Sequence, residues 1–350
     1  VSHASRGAAR CIISFIVLWG QTVWIIWPHY EFKSNRMTDN LLPPEHQADS
    51  QWHPNRDRSK RTELIIKIIF GSFALLSVAT TVGIVFSLIF ETIAFFQKVP
   101  FWRFLTDSEW TPLFTNPKYG IFVLISATFL TSLIALVVAV PLGVLAAVCL
   151  SEYAPRGIRR WLKPALELLA GVPTVVFGYF ALFFVTPFIL KPLIPGLGTF
   201  NALSAGIVLG FAILPTIASL SEDAIYAVPQ SLRQGSYALG ATKRETIVGV
   251  VLPAALSGIV ASVVLGIARA VGETMIVTLA AGQNPKLTLD PRVSIQTMTS
   301  YIVQVSGGDV PVGTLKYETL FAVGMTLFII TLALNVFSFW FVRRFQEKYE

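Results

Sequence analysis

Arg269 and Glu273 are four residues apart in Ala268-Arg269-Ala270-Val271-Gly272-Glu273-Thr274, inside a long apolar stretch. On a helix that spacing puts both on one face. Charges within a membrane-spanning helix are costly, and they usually face a bundle interior or a water-filled path. A guanidinium offers a fork of donors matched to phosphate-type oxygens. Glu273 would neutralise Arg269 when no anion is present and so limit how tightly an anion is held. The competing reading is a structural ion pair joining helices. Arg before Glu is the weaker order for an intrahelical pair, which leaves each residue free to pair elsewhere. Glu167 is a further acidic candidate near the start of another apolar stretch, where a carboxylate also suits the positive end of a helix.

The second constellation lies between residues 221 and 253. It runs Ser221-Glu222-Asp223-Ala224, Val228-Pro229, then Arg233-Gln234-Gly235-Ser236-Tyr237-Ala238-Leu239-Gly240-Ala241-Thr242, and ends at Val251-Leu252-Pro253. The pattern predicts a loop that holds a helix, a break at Gly240 and a second helix. Glycine turns the chain sharply where a Cβ would be costly, and Pro253 suits the first turn of a restarting helix. A short helix across the ends of two spans could press into a groove on another protein. A plain helix-turn-helix connector is the alternative.

These residues must be positioned by elements that the composition describes. Of the 350 residues 54% are apolar and 13% charged, against about a quarter charged in a soluble domain. A spanning helix needs about 20 mainly apolar residues. Six segments qualify, at about residues 64–96, 120–150, 164–190, 202–220, 251–281 and 319–342. The expected fold is therefore an all-α membrane protein of about six transmembrane helices, with a membrane-spanning domain at residues 64–342, a loop at 221–250 and a tail at 343–350. Prolines at 141, 173, 187 and 215 fall inside spans, where each removes a backbone donor and can kink the helix; packing irregularity and gating hinges both fit them.

The net charge of +7 does not point to nucleic acid, because the basic residues form short blocks beside apolar segments. Blocks such as Arg56–Arg61 and Arg156–Lys163 set orientation instead, since basic loops stay on the cytoplasmic side. Both ends of the main body are then expected in the cytoplasm. Phe101, Trp102, Phe104 and Trp110 would suit the outer interface. Cys11 and Cys149 suggest neither a disulfide framework nor a metal cluster. His3, His29, His46 and His53 all precede the main body, which excludes a histidine base or proton relay within it. No cofactor is expected, and no Gly-x-x-x-x-Gly-Lys-Ser/Thr cradle is present, so any ATP hydrolysis belongs to another polypeptide.

Residues 1–63 differ from the rest. Cys11–Trp27 is apolar but short, and it reads as a seventh span, a signal-like segment, or sequence upstream of the true start. Met37 opens a polar stretch and is the expected natural start, so residues 1–36 are set aside from the fold.

The spacing of Gly240 and Leu252-Pro253 resembles the coupling loop of permease subunits of ABC importers, in which a Glu-Ala-Ala opening is followed by a glycine and a Leu-Pro pair. Gln234, Gly235 and Ser236 occupy the Glu-Ala-Ala positions. Residues 64–342 more widely resemble the PstC-type permease of bacterial phosphate importers. The matching stretches include Val140-Pro141-Leu142-Gly143, Leu150-Ser151-Glu152-Tyr153-Ala154-Pro155, Glu167-Leu168-Leu169-Ala170-Gly171-Val172-Pro173 and the Arg269–Thr274 motif. The resemblance implies the type I, MetI-like permease fold in a bacterial inner membrane. It also implies a PstA-like second permease, PstB-like ATPase subunits, and a periplasmic PstS-like protein that delivers phosphate. It carries a transport role onto Arg269 and Glu273. A permease for phosphonate, sulfate or molybdate, a gradient-driven transporter, and a membrane scaffold that reports phosphate status remain as alternatives.

Overall fold

The computed structural model describes residues 56–345, except residue 309. The chain divides into two units, Val1–Phe86 and Ser87–Glu350. The expectations for residues 1–36 and for the histidines lie outside the described residues.

In the first unit, α1 (Arg56–Lys98) exposes Leu64, Ile65, Phe70, Phe73 and Leu75, the surface that hydrocarbon solvates without cost. Residues 87–98 of the same helix belong to the second unit. That unit continues with α2 (Phe101–Thr106), α3 (Phe122–Val148) and a wider i→i+5 turn at Cys149–Tyr153. Next come α4 (Arg156–Ala170) and α5 (Thr174–Phe180), the latter running into a second i→i+5 segment at Ala181–Leu190. The long α6 (Ala202–Tyr226) is followed by α7 (Gln230–Ala238). Then α8 (Lys243–Thr246), a third i→i+5 segment (Ile247–Val251) and α9 (Leu252–Gly272) form one continuous rod. The chain closes with α10 (Met275–Ala280), α11 (Met298–Ser306) and α12 (Leu315–Phe345).

Among the described residues, six helical stretches are long and apolar enough to cross a membrane: Thr62–Lys98, Phe122–Tyr153, Thr174–Leu193, Ala202–Tyr226, Lys243–Gly272 and Leu315–Phe341. Three differ materially from the segments expected. The third span starts at Thr174 rather than near residue 164. Pro173 stands in extended conformation (φ −57°, ψ 133°), and a proline disfavours helix in the residue before it. The break makes α4 a separate amphipathic helix that carries Arg156–Lys163. The fourth span continues to Tyr226, so Ser221–Ala224 is helix and not loop, with Ser221 and Glu222 buried. The fifth starts earlier, at Lys243, and ends at Gly272. Its helix begins at Thr242, whose hydroxyl and the Glu245 carboxylate form a reciprocal cap of the Ser/Thr-x-x-Glu kind. Pro253 is the second residue of α9, in the first turn as expected, within a rod that continues back through the i→i+5 segment.

The core forms where α3 and α6 pack. A Cβ at Gly206 would stand 2.7 Å from the Ile134 side chain, and one at Gly210 would stand 2.8 Å from the Ala135 carbonyl. Small residues at this spacing let two membrane helices approach backbone to backbone. Ala135, Ala139, Leu209, Ile213 and Ile217 fill the seam.

A second cluster joins the end of α1 to α11 and α12. Phe95 meets Phe104 and Tyr119 edge-on, and Trp110 meets Tyr301 at 5.1 Å between ring centres and 88°, geometries that the ring quadrupole favours. Of the four aromatics expected at a membrane interface, Phe101 and Trp102 are exposed, whereas Phe104 and Trp110 lie in this core. Burial pushes the Tyr301 phenol well above its usual range, and its hydroxyl pairs with Thr319 at 2.6 Å.

Candidate functional site

Arg269 lies in the last turn of α9, where a cation suits the negative end of a helix. Its Nη1 donates to the Thr216 hydroxyl at 2.5 Å. Among the described residues this is the one hydrogen bond that the guanidinium makes, so the rest of its donor fork is unengaged. Thr216 follows Pro215, whose missing N–H leaves the Phe211 carbonyl without its helical donor. The Arg269 side chain is half-buried.

Glu273 is not on the face of Arg269. The helix ends at Gly272, and Glu273 adopts an extended conformation (φ −68°, ψ 135°). Its carboxylate accepts from the backbone N–H of Met275 at 3.1 Å and of Ile276 at 3.4 Å. It thereby caps the first turn of α10, where a negative charge is favoured. The Glu273 carbonyl in turn accepts from Thr299 at 2.7 Å. The four-residue spacing thus spans a helix break, and among the described residues no ion pair joins Arg269 to Glu273.

Glu167 lies on α4, on the exposed side. It lines a cleft of about 340 Å³ together with Lys163, Pro215, Thr216, Glu222 and Leu265. The structure therefore brings Glu167 to the same cleft as the hydroxyl that holds Arg269, while Glu273 is not part of its lining.

The helix α4 is held on α6 by charges that the sequence does not pair. Glu222 is 2% exposed and contacts Arg159 at 2.5 Å and Lys163 at 3.1 Å. Lys163 also reaches Asp223 at 3.2 Å, and Arg159 lies over the Tyr226 ring. Burial alone would lower the Lys163 pKa, but its hydrogen bonds to Glu222 and Asp223 and their charges together raise it. Glu222 and Thr216 went unrecognised as candidate site residues. An acid two residues past an apolar run signals a buried partner only once the helix is known to continue.

At the same end of the bundle, α7 ends in a left-handed residue, Gly240 (φ 83°). The Gly240 N–H bonds the Tyr237 carbonyl at 3.0 Å and the Ala241 N–H bonds the Ser236 carbonyl at 3.2 Å, the paired 5→2 and 6→1 bonds of a Schellman turn. Gln234 and Gly235 face outward, as do Tyr237 and Leu239, the last 91% exposed. Ser236 faces inward and its hydroxyl pairs with Thr246 at 2.9 Å. Leu252 is half-buried and Pro253 exposed, both within the α8–α9 rod.

At the opposite end, residues 282–297 run without regular structure along the start of α6. Gly198 bonds the Arg292 carbonyl at 2.9 Å, and Asn201 bonds the Ala280 carbonyl at 3.0 Å. The Asp290 carboxylate accepts from the Arg292 side chain and backbone, which holds its pKa down at about 2.

Residues 139–350 match the family described as "Binding-protein-dependent transport system inner membrane component". The chain is 36% identical over 280 residues to the probable ABC transporter permease protein YqgH of Bacillus subtilis, covering 79% of this chain and 90% of that one. It is 35% identical to the phosphate transport system permease protein PstC of Xylella fastidiosa, covering 70% and 80% of the two chains. With the PstC of Haemophilus influenzae it shares 32% identity over 81% and 94%. Among solved structures, a chain of a bacterial alginate ABC transporter superposes with a TM-score of 0.58 at 15% identity, over 83% of this chain and 99% of that one. That likeness is one of fold, the helical permease fold expected from the sequence.

Proposed function

The chain belongs to the family of binding-protein-dependent transport system inner membrane components, and from that membership we propose that it carries inorganic phosphate across the membrane within an ATP-driven importer. It is an ABC importer permease, a multi-pass inner-membrane protein and a transporter subunit, not an enzyme. Phosphate is favoured by the PstC relatives, which match across most of the chain at 32–35% identity.

The observation that carries the reading is the state of Arg269. A guanidinium inside a spanning helix is expensive to keep, yet here a single neutral hydroxyl holds it. The free part of the fork is suited to two oxygens of a passing oxyanion. Glu273 keeps the helix break in shape by capping α10, and an acidic residue so near Arg269 in sequence limits how tightly an anion is held. Glu167, on the cleft that Thr216 lines, serves the same end near the exit.

ATP is hydrolysed by separate PstB-like subunits, and α7 is the element they grip. Gln234, Gly235, Tyr237 and Leu239 form the outward face, and Gly240 sets the turn. Leu252 and Pro253 lie in the rod that would receive the motion. A PstA-like permease completes the pathway, and a periplasmic PstS-like protein delivers the ion at the end that carries Asp290. The α7 end then faces the cytoplasm, as do both ends of the main body. Under this reading Arg269→Ala abolishes ATP-dependent phosphate uptake in vesicles while the complex still assembles. Uptake at the wild-type rate by that variant would remove Arg269 from the pathway.

A further inference from the structure

The outward face of α7 explains how a motor grips this chain, but not how a push on α7 reaches Arg269. The inward face of α7 carries Arg233, whose side chain is 11% exposed. It stands 2.8 Å from the Glu152 carboxylate, itself 7% exposed, on the i→i+5 turn that ends α3. Its other Nη atom donates to the Ile225 carbonyl at 2.7 Å. That carbonyl is in the last turn of α6, where Pro229 offers no N–H four residues on, and it also accepts from the Val228 N–H at 3.3 Å. One guanidinium thus ties α7 to the ends of both helices of the central seam. Lys243, at the start of the rod, donates to the Glu152 carbonyl and lies over the Tyr153 ring. Glu152 and Arg233 thus join α7, the end of α3, the end of α6 and the start of the rod.

From Ile225 the helix α6 runs nine residues back to Thr216, about 14 Å at the helical rise, and Thr216 holds Arg269. The link is also imperfect in a way that suits a moving part. The Arg233–Glu152 contact is a close ion pair without hydrogen-bond alignment, and the buried Arg233 Nε has no partner. A buried donor left unpaired is costly.

We infer that Arg233 and Glu152 are positioning residues that convert movement of α7 into movement of the α3–α6 seam, and so couple ATP use to ion passage. This rests on the permease reading above. The test is the ratio of phosphate imported to ATP hydrolysed, measured on the reconstituted complex with its ATPase and binding protein, for Glu152→Gln, Arg233→Gln and the double variant. Each single change is expected to lower the ratio about tenfold, and the double variant to be no worse than either, because residues that act as a unit are not additive. Assembled complex and its melting temperature are measured in parallel. Lower assembly with an unchanged ratio would make the pair a simple staple, and losses that multiply would make the residues independent; either result overturns the inference. If Arg233→Gln does not assemble, Arg233→Lys, which keeps the charge near Glu152 but gives up the reach to Ile225, is expected to show an intermediate ratio, and a wild-type ratio would count against the linkage. A wild-type complex that imports no phosphate would instead defeat the permease reading, so the two failures are distinct.

Discussion

Gly240 isolates one physical term, because a Cβ built there meets nothing within 4 Å. Any cost of substitution must come from backbone conformation and not from crowding. At φ 83° an L-residue pays the left-handed penalty of about 1–2 kcal/mol. At RT of about 0.6 kcal/mol this is about a five- to thirtyfold change in the population of the closed turn. The Ala241 N–H, bonded to the Ser236 carbonyl at 3.2 Å, reports that population through hydrogen exchange, since local opening sets its protection. Gly240→Asn is expected to exchange nearly as slowly as wild type, because asparagine visits this region readily. Gly240→Ala should exchange about five- to thirtyfold faster, and Gly240→Val faster still, as a β-branched residue is a true outlier there. Phosphate uptake should fall in the same order. If Asn, Ala and Val exchanged alike, the turn would not depend on a left-handed residue and the reasoning would be wrong.

Three further outcomes follow from separate parts of the molecule. Gly210→Val would push a side chain against the Ala135 carbonyl, only 2.8 Å from the built Cβ, and should lower the stability of the solubilised complex by about 1–3 kcal/mol in thermal unfolding. Glu222→Ala leaves Arg159 without its ion partner and Lys163 with Asp223 alone, and both cations are about a third exposed, so a loss of about 1–2 kcal/mol is expected, read as faster amide exchange along α4. The Asp290–Arg292 turn should be insensitive to pH from 7 down to about 4. The Asp290 pKa is lowered to about 2 from 3.8, so what the turn contributes is present above the unfolded value and is lost only as pH falls through about 2. Amide exchange at Arg292, which donates to Asp290, would show loss near neutrality if the pairing were absent.

The six spans were legible because length and apolar content alone decide whether a helix can cross a bilayer. The ends of the helices were not, and the reasons are specific. Residues 165–169 are apolar enough to join the third span, and only the extended backbone at Pro173 separates them from it. Glu222 and Asp223 looked like loop residues because their partners, Arg159 and Lys163, are about sixty positions away. Trp110 looked like an interfacial anchor, yet its place is against Tyr301, far along the chain. Type and spacing single out Arg269 and Glu273 as candidates, but spacing assumes a continuous helix, and the break after Gly272 gives them different partners. The turn at Gly240 is a local feature that depends on its own φ, and it was legible for that reason. The Arg233–Glu152 pair, which joins positions 81 apart in sequence, depends on tertiary packing, and no local pattern announces it.

The proposed role of this chain is to form an oxyanion path worked by a separate ATPase. The most direct measurement is ATP-dependent uptake of labelled phosphate by the complex in liposomes, with unlabelled phosphate, phosphonate, sulfate and molybdate as competitors. Uptake that needs ATP, the binding protein and Arg269, and that unlabelled phosphate suppresses most strongly, is the predicted result. Uptake by this chain alone without ATP, or stronger suppression by sulfate or molybdate than by phosphate, would contradict it.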